Sequence, residues 1–166
     1  MPLVLDPETG CLPAEPALQE ATLDEVRAAF VEGFPTSETR PAIWGAYEEH
    51  TSAWKPLLGQ VPREQWLDGS FVTAKLDPGD LDLAVFAPLA ELLGLSAEQR
   101  RQVERMFGGA QHVWGGRLHA LMVPTADDGT PEATVTMAQR ALLLQLWCAQ
   151  KPGDGGVRKG VARLWR

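Results

Sequence analysis

The run Asp80-Leu81-Asp82-Leu83-Ala84-Val85-Phe86 constrains this chain more than any other stretch. It starts as strict alternation and ends as a continuous apolar block. Side chains on a strand point to opposite faces in turn. Leu81 and Leu83 therefore face a core, and Asp80 and Asp82 share the other face. A strand that begins half-polar and becomes wholly apolar sits inside a covered sheet. Asp77-Pro78-Gly79 just before it is a turn signal. Another strand, Gln65 to Leu67, leads into the tight pair Gly69-Ser70.

Around these strands the pattern is helical. Residues 1–21 are rich in Pro, Gly and Glu without periodicity, and are expected as an extended arm. Thr22-Leu23-Asp24-Glu25 is a capping box. It starts a helix through Leu23, Val26 and Phe30 to about Gly33. A second helix begins between Ser37 and Pro41 and carries Ile43, Tyr47, Trp54 and Leu58, with Pro56 expected to end or kink it. Pro88 to Leu93 reads as a helical turn closed by Gly94. Ser96-Ala97-Glu98-Gln99 caps a charged helix that Gly108-Gly109 stops. Arg117 to Val123 is a strand with Leu118, Ala120 and Met122 on one side and Arg117, His119, Leu121 and Val123 on the other. Thr130-Pro131 opens a long helix to about Gln150, apolar on most sides and expected to be buried. Lys151 to Gly156 reads as a connector, and 157–166 as a final edge strand. This order predicts an α/β (α+β) fold of one domain spanning 1–166: a helical part over 22–58, a core over 65–150, and helices packed on a small mixed sheet.

With 166 residues and six Trp, one domain can bury a sizeable core. The net charge of −7 argues against a broad nucleic-acid surface, duplex DNA above all. Basic residues gather late, at Lys151, Arg158, Lys159, Arg163 and Arg166, where they suit a small anion or a short RNA end. No apolar run approaches the ~18 residues that span a bilayer. The N-terminus lacks a signal-peptide pattern, so a cytoplasmic location is expected. Cys11 and Cys148 read as free thiols. Trp66 is expected to pack beneath the Gly-Ser turn. Trp114, flanked closely by glycines, is expected as a loop aromatic on the core, with a lid over a base as the alternative.

The chemistry lies where Gly69-Ser70 meets Asp80 and Asp82. Glycine lets backbone approach a phosphate and serine adds a hydroxyl. Two carboxylates on one strand face can hold Mg²⁺. Leu67-Asp68-Gly69-Ser70 followed by Asp80-Leu81-Asp82-Leu83 resembles the motif of the nucleotidyltransferase superfamily, which includes DNA polymerase beta and the minimal nucleotidyltransferases. Trp66 to Leu83, the helix start at Ala21 to Val26, and Lys159-Gly160-Val161 look like an uncharacterised bacterial family of small stand-alone members.

The resemblance implies a palm-like core with two N-terminal helices. It implies a nucleoside triphosphate as donor, with Asp80 and Asp82 binding Mg²⁺ (or Mn²⁺) and Gly69 and Ser70 holding phosphates, joined by Lys75. The nucleotide would pass to a hydroxyl acceptor: a small molecule, an RNA end or a protein. Active members add a third carboxylate from a later strand. Here that strand has none, and His119 is the candidate occupant and base. The alternative is a catalytically degenerate module that binds nucleotide, metal or a protein partner, as in toxin–antitoxin pairs.

Overall fold

The computed structural model describes residues 3–59, 61–108, 112–149 and 158–166. The Gly109 stop signal and the Lys151–Gly156 connector lie outside them. The fold is α+β, with one mixed five-stranded sheet. Its strands are β1 (Leu18–Glu20), β2 (Glu64–Asp68), β3 (Leu81–Pro88), β4 (Leu118–Thr125) and β5 (Val161–Trp165), in the spatial order β1-β5-β2-β3-β4. The β2–β3 and β2–β5 pairs are antiparallel, and β1–β5 and β3–β4 are parallel. A parallel pair needs a crossover. Between β3 and β4 it is formed by α3 (Leu89–Gly94) and α4 (Ala97–Met106). Both expected capping boxes form, at Thr22 for α1 (Leu23–Arg27) and at Ser96 for α4.

Alternation sorts the sheet into two faces. Leu67, Leu81, Leu83, Val85, Leu118, Ala120 and Leu164 bury one face together with Val26 and Phe30 and with Tyr47 and Trp54 of α2 (Arg40–Leu58). Trp66, Ala84, Phe86, Val123 and Val161 line the opposite face, under Leu143 and Cys148 of α5 (Pro131–Cys148). Trp66 packs on Phe86 there, with ring centroids 4.8 Å apart. Its indole N–H donates to Glu64 (2.9 Å), and the Arg140 fork on α5 donates to the same carboxylate at 3.0 and 2.5 Å. This bidentate pair ties α5 to the sheet. Burial alone would raise the Glu64 carboxyl, but the Arg140 and Trp66 donors hold it below its ordinary value.

Four expectations need correction. The arm is not free of structure, because β1 pairs in parallel with β5. That pairing moves β5 off the edge, so the last strand lies between β1 and β2. Pro56 does not end α2, which runs on to Leu58 and stops at Gly59, φ +78°. Only one side of α5 is covered. Ala133, Thr136, Leu143 and Cys148 are buried, whereas Val135, Met137, Leu142 and Leu146 are exposed. The apolar composition of this helix exceeds the sheet area left for it. No described helix is long and apolar enough to cross a membrane.

Candidate active site

The site lies at one end of the sheet, on the α5 face. Asp68, Asp82 and His119 form a row across three strands, because Asp68 pairs with Asp82 and Asp82 with His119 in register. Directly opposed residues share a face. His119 Nδ1–H donates to Asp82 Oδ1 (3.0 Å). Asp80, two residues earlier on the same side, accepts from Nε2–H of His112. The two imidazole rings are 5.4 Å apart. Each motif carboxylate is thus held by its own histidine.

The glycine turn meets these carboxylates. Gly69 has φ +81° and ψ −166°, a conformation open essentially to glycine alone. A Cβ at this position would lie 2.5 Å from Asp82 Oδ2 and 3.3 Å from the Asp82 backbone nitrogen. The absence of a side chain is therefore what lets the turn and the carboxylate touch. Gly69 and Ser70 also line a cavity of about 600 Å³ together with Thr73, Lys75 and Lys159. Asp80 and Asp82 are not among its lining residues, so the cavity and the carboxylates adjoin across Gly69 rather than sharing one wall.

The donor set bears on which metal fits. Among the described residues no three His, Cys, Asp or Glu side chains gather into a metal-ligating group. Mg²⁺ is commonly held by one or two carboxylates and completed by water and phosphate oxygens. Asp80 and Asp82, with Asp82 pressed against the glycine turn, fit that arrangement. The imidazoles of His112 and His119 act as partners to the carboxylates rather than as ligands Mg²⁺ would favour.

Four residues at the site have roles that the sequence did not assign. Lys159 Nζ donates to Asp68 Oδ1 (2.6 Å) and to the Gly69 carbonyl (3.1 Å). Asp68 is only 2% exposed. Burial pushes its carboxyl up to about 6, against the opposing pull of the Lys159 ammonium. Arg40 is fully buried, and its guanidinium donates to the carbonyls of Phe30 (2.8 Å), Phe71 (2.7 Å), Thr73 (2.7 Å), Lys75 (2.5 Å) and Leu76 (3.2 Å). It fixes the loop that carries Lys75. Desolvation lowers this guanidinium to about 10, partly offset by Asp77. His112 enters from the segment before β4. The sequence signal for Asp68 was its place beside Gly69. Lys159 stood in the late basic group and in the Lys159-Gly160-Val161 match, whereas Arg40 and His112 carried no comparable local signal.

Trp114 tucks onto the core. It meets His50 edge-on, with centroids 4.9 Å apart, and packs against the main apolar cluster. The lid alternative is not supported by that placement.

No curated protein and no solved structure matches the chain significantly. Residues 5–164 match a family of unknown function (DUF6932), and since the match spans nearly the whole sequence, the chain belongs to that family.

Proposed function

We propose that the protein is a metal-dependent nucleotidyltransferase of the cytoplasm, transferring a nucleotide from a nucleoside triphosphate to a hydroxyl acceptor. The observation that carries this reading is the contact between the Gly69 turn and the Asp82 carboxylate, with Asp80 just before the same strand and its partner His112 against the His119 ring. Asp80 and Asp82 would hold Mg²⁺, which supplies charge neutralisation of the phosphates when bound. Gly69 admits a phosphate close to the backbone, and the Ser70 hydroxyl can donate to it. His119, bonded through Nδ1 to Asp82, is the candidate base for the acceptor's proton. Positioning and charge placement would do most of the work.

A second reading has its own support. Both motif carboxylates are engaged by histidines, and β4 brings no third carboxylate. That favours a module that binds metal–nucleotide, or a protein partner, without turnover. The experiment is incubation with each labelled nucleoside triphosphate, Mg²⁺ or Mn²⁺, and acceptors drawn from small alcohols, RNA ends and proteins. Release of pyrophosphate, lost in Asp80→Ala/Asp82→Ala, supports transfer. Metal–nucleotide binding without release supports the binding module. Absence of both sinks the transferase and the metal–nucleotide module together.

A further inference from the structure

The outer side of α5 is used neither by the sheet nor by the candidate site, and its pattern is ordered. Val135, Gln139, Leu142 and Leu146 are spaced four, three and four residues apart, which puts them on one seam of the helix. All four are exposed, the three apolar ones between 57% and 60%. Beside the seam, Leu121, Met122, Val123 and Pro124 of β4 line an apolar groove of about 230 Å³ with Leu143 of α5. A contiguous apolar surface of this kind marks an interface.

Charge and the sheet edge together select the occupant. Although 22% of the chain is charged, Arg140 is the only charged residue from Ala133 to Cys148, and it is committed to Glu64. A neutral surface gives a charged partner nothing to pair with. It suits a second copy, because two bodies of net charge −7 repel and meet at least cost across faces that carry no charge. Residues 150–157 follow α5 and contribute Lys151 and Asp154, one charge of each sign, so they leave this balance unchanged. Val135 and Leu142 lie about two to four turns before them. The edge of β4 is closed to a long foreign strand at both ends. Leu118 is already bridged by Val113, with hydrogen bonds in both directions, and Pro124 has no N–H to give. Contact on this side therefore falls to the helix.

We propose that the outer seam of α5 is a homodimer interface, in which the helix packs antiparallel on α5 of a second copy about a two-fold axis. Val135 then meets the partner's Leu146, and Gln139 meets the partner's Leu142. The antiparallel sense keeps the acidic helix starts, with Asp127, Asp128 and Glu132, about 27 Å apart, whereas a parallel pair would set them side by side. The contact is small. A helix about 27 Å long and about 10 Å across presents less than the ~800 Å² per partner of a standard interface. The pair is therefore reversible, forming at tens of micromolar and separating at the dilution of an unfolding experiment. The seam borders the later half of β4, whereas His119 lies near its start, so pairing leaves both candidate sites open and is independent of the transfer reaction.

The test is sedimentation equilibrium of the full chain from about 1 to about 500 μM, at low and high salt. A monomer–dimer equilibrium is expected, and salt tightens it by screening the repulsion between two acidic bodies. Leu142→Lys raises the dissociation constant at least about tenfold. Its urea midpoint at micromolar concentration stays that of the wild type, which separates lost pairing from lost folding. Gln139→Leu removes the polar side chain of the seam and lowers the dissociation constant. Leu93→Lys leaves it unchanged, since Leu93 is an exposed residue of α3, whose neighbours Leu92 and Leu95 pack on the opposite face of the sheet. A chain that stays monomeric at every concentration overturns the proposal and leaves the seam to a foreign protein or to residues 150–157. Association that Leu142→Lys does not weaken, or that Leu93→Lys weakens equally, overturns it as well.

Discussion

Gly69→Ala tests the contact on which the active-site reading rests. Two costs add at this residue. The first is conformational. With φ +81° and ψ −166°, the backbone occupies a region nearly closed to a residue with a Cβ. Such strain costs about 1–3 kcal/mol. The second is steric. The new methyl would meet Asp82 Oδ2 at 2.5 Å and Asp82 Cγ at 3.2 Å. The carboxylate cannot simply swing aside, because His119 holds its other oxygen at 3.0 Å. Either that hydrogen bond breaks, at about 1 kcal/mol, or the turn itself shifts. The expected loss is roughly 2–4 kcal/mol, read as a lower urea midpoint with an unchanged slope. Mn²⁺ binding, followed by paramagnetic resonance with and without nucleotide, should weaken in the same variant. Gly45→Ala is the internal contrast. Gly45 lies inside α2, and a Cβ added there would meet nothing within 4 Å. The substitution should stabilise by about 1 kcal/mol, from helix propensity alone. A Gly69→Ala protein within about 0.5 kcal/mol of wild type, with Mn²⁺ binding intact, would refute the reasoning.

His50 gives a pH signature. It is buried between Phe107 and Trp114, and Nε2–H donates to the Met106 carbonyl (3.1 Å). Desolvation lowers it from 6.5 to about 4, so the folded state keeps it neutral where the unfolded chain binds a proton. Its contribution is present above about 6.5 and lost as pH falls towards 4, about 2.5 kcal/mol by pH 4.5. Asp68 acts in the opposite sense, since its raised value disfavours the folded state as pH rises from about 4 to 6. The wild type should therefore show a muted acid limb, while His50→Asn should lose about 2.5 kcal/mol of the difference between pH 7 and 4.5 in urea unfolding; an identical pH profile would count against it. Arg40→Met orphans five carbonyls and should cost about 4 kcal/mol or more, or abolish folding, by thermal denaturation. Leu142→Lys and Leu146→Lys, at positions 57% and 60% exposed, should each leave the urea midpoint within about 0.5 kcal/mol of wild type, and a loss above about 3 kcal/mol would mean that this face is covered in solution.

The parts of the fold legible in the sequence are those set by local rules. Capping boxes at Thr22 and Ser96 depend on residues three apart, and both form. The faces of β3 and β4 follow from alternation, and pairing in register then sets His119 beside Asp82. What failed depended on which elements become neighbours. The edge assignment for the last strand was undone by a three-residue strand, β1, too short to show a period. The burial expected for α5 came from composition, but coverage is decided by how much sheet is available. Arg40 sits at a helix start with an ordinary local pattern, and its five acceptors come from segments 10 to 36 residues away.

The same distinction applies to the third carboxylate. Its absence from β4 is real, since that strand reads Leu-His-Ala-Leu-Met-Val-Pro-Thr. But the row across the sheet has a carboxylate on the other side of Asp82. Asp68 on β2 is its direct cross-strand partner, as His119 is on β4. Pairing of β2 with β3 could not be read from either strand alone, so the place of Asp68 in this row is not legible there. Its chemistry differs from that of a metal ligand. Asp68 is buried and bonded to Lys159, whose ammonium also grips the Gly69 carbonyl. A carboxylate committed to an ammonium at 2.6 Å is part of the floor that shapes the glycine turn. The negative charge of the row is thus divided: Asp82 faces the turn with His119 beside it, and Asp68 is neutralised from below. This division sets the histidine-bonded Asp80 and Asp82 apart from Asp68, whose lysine partner also lines the neighbouring cavity.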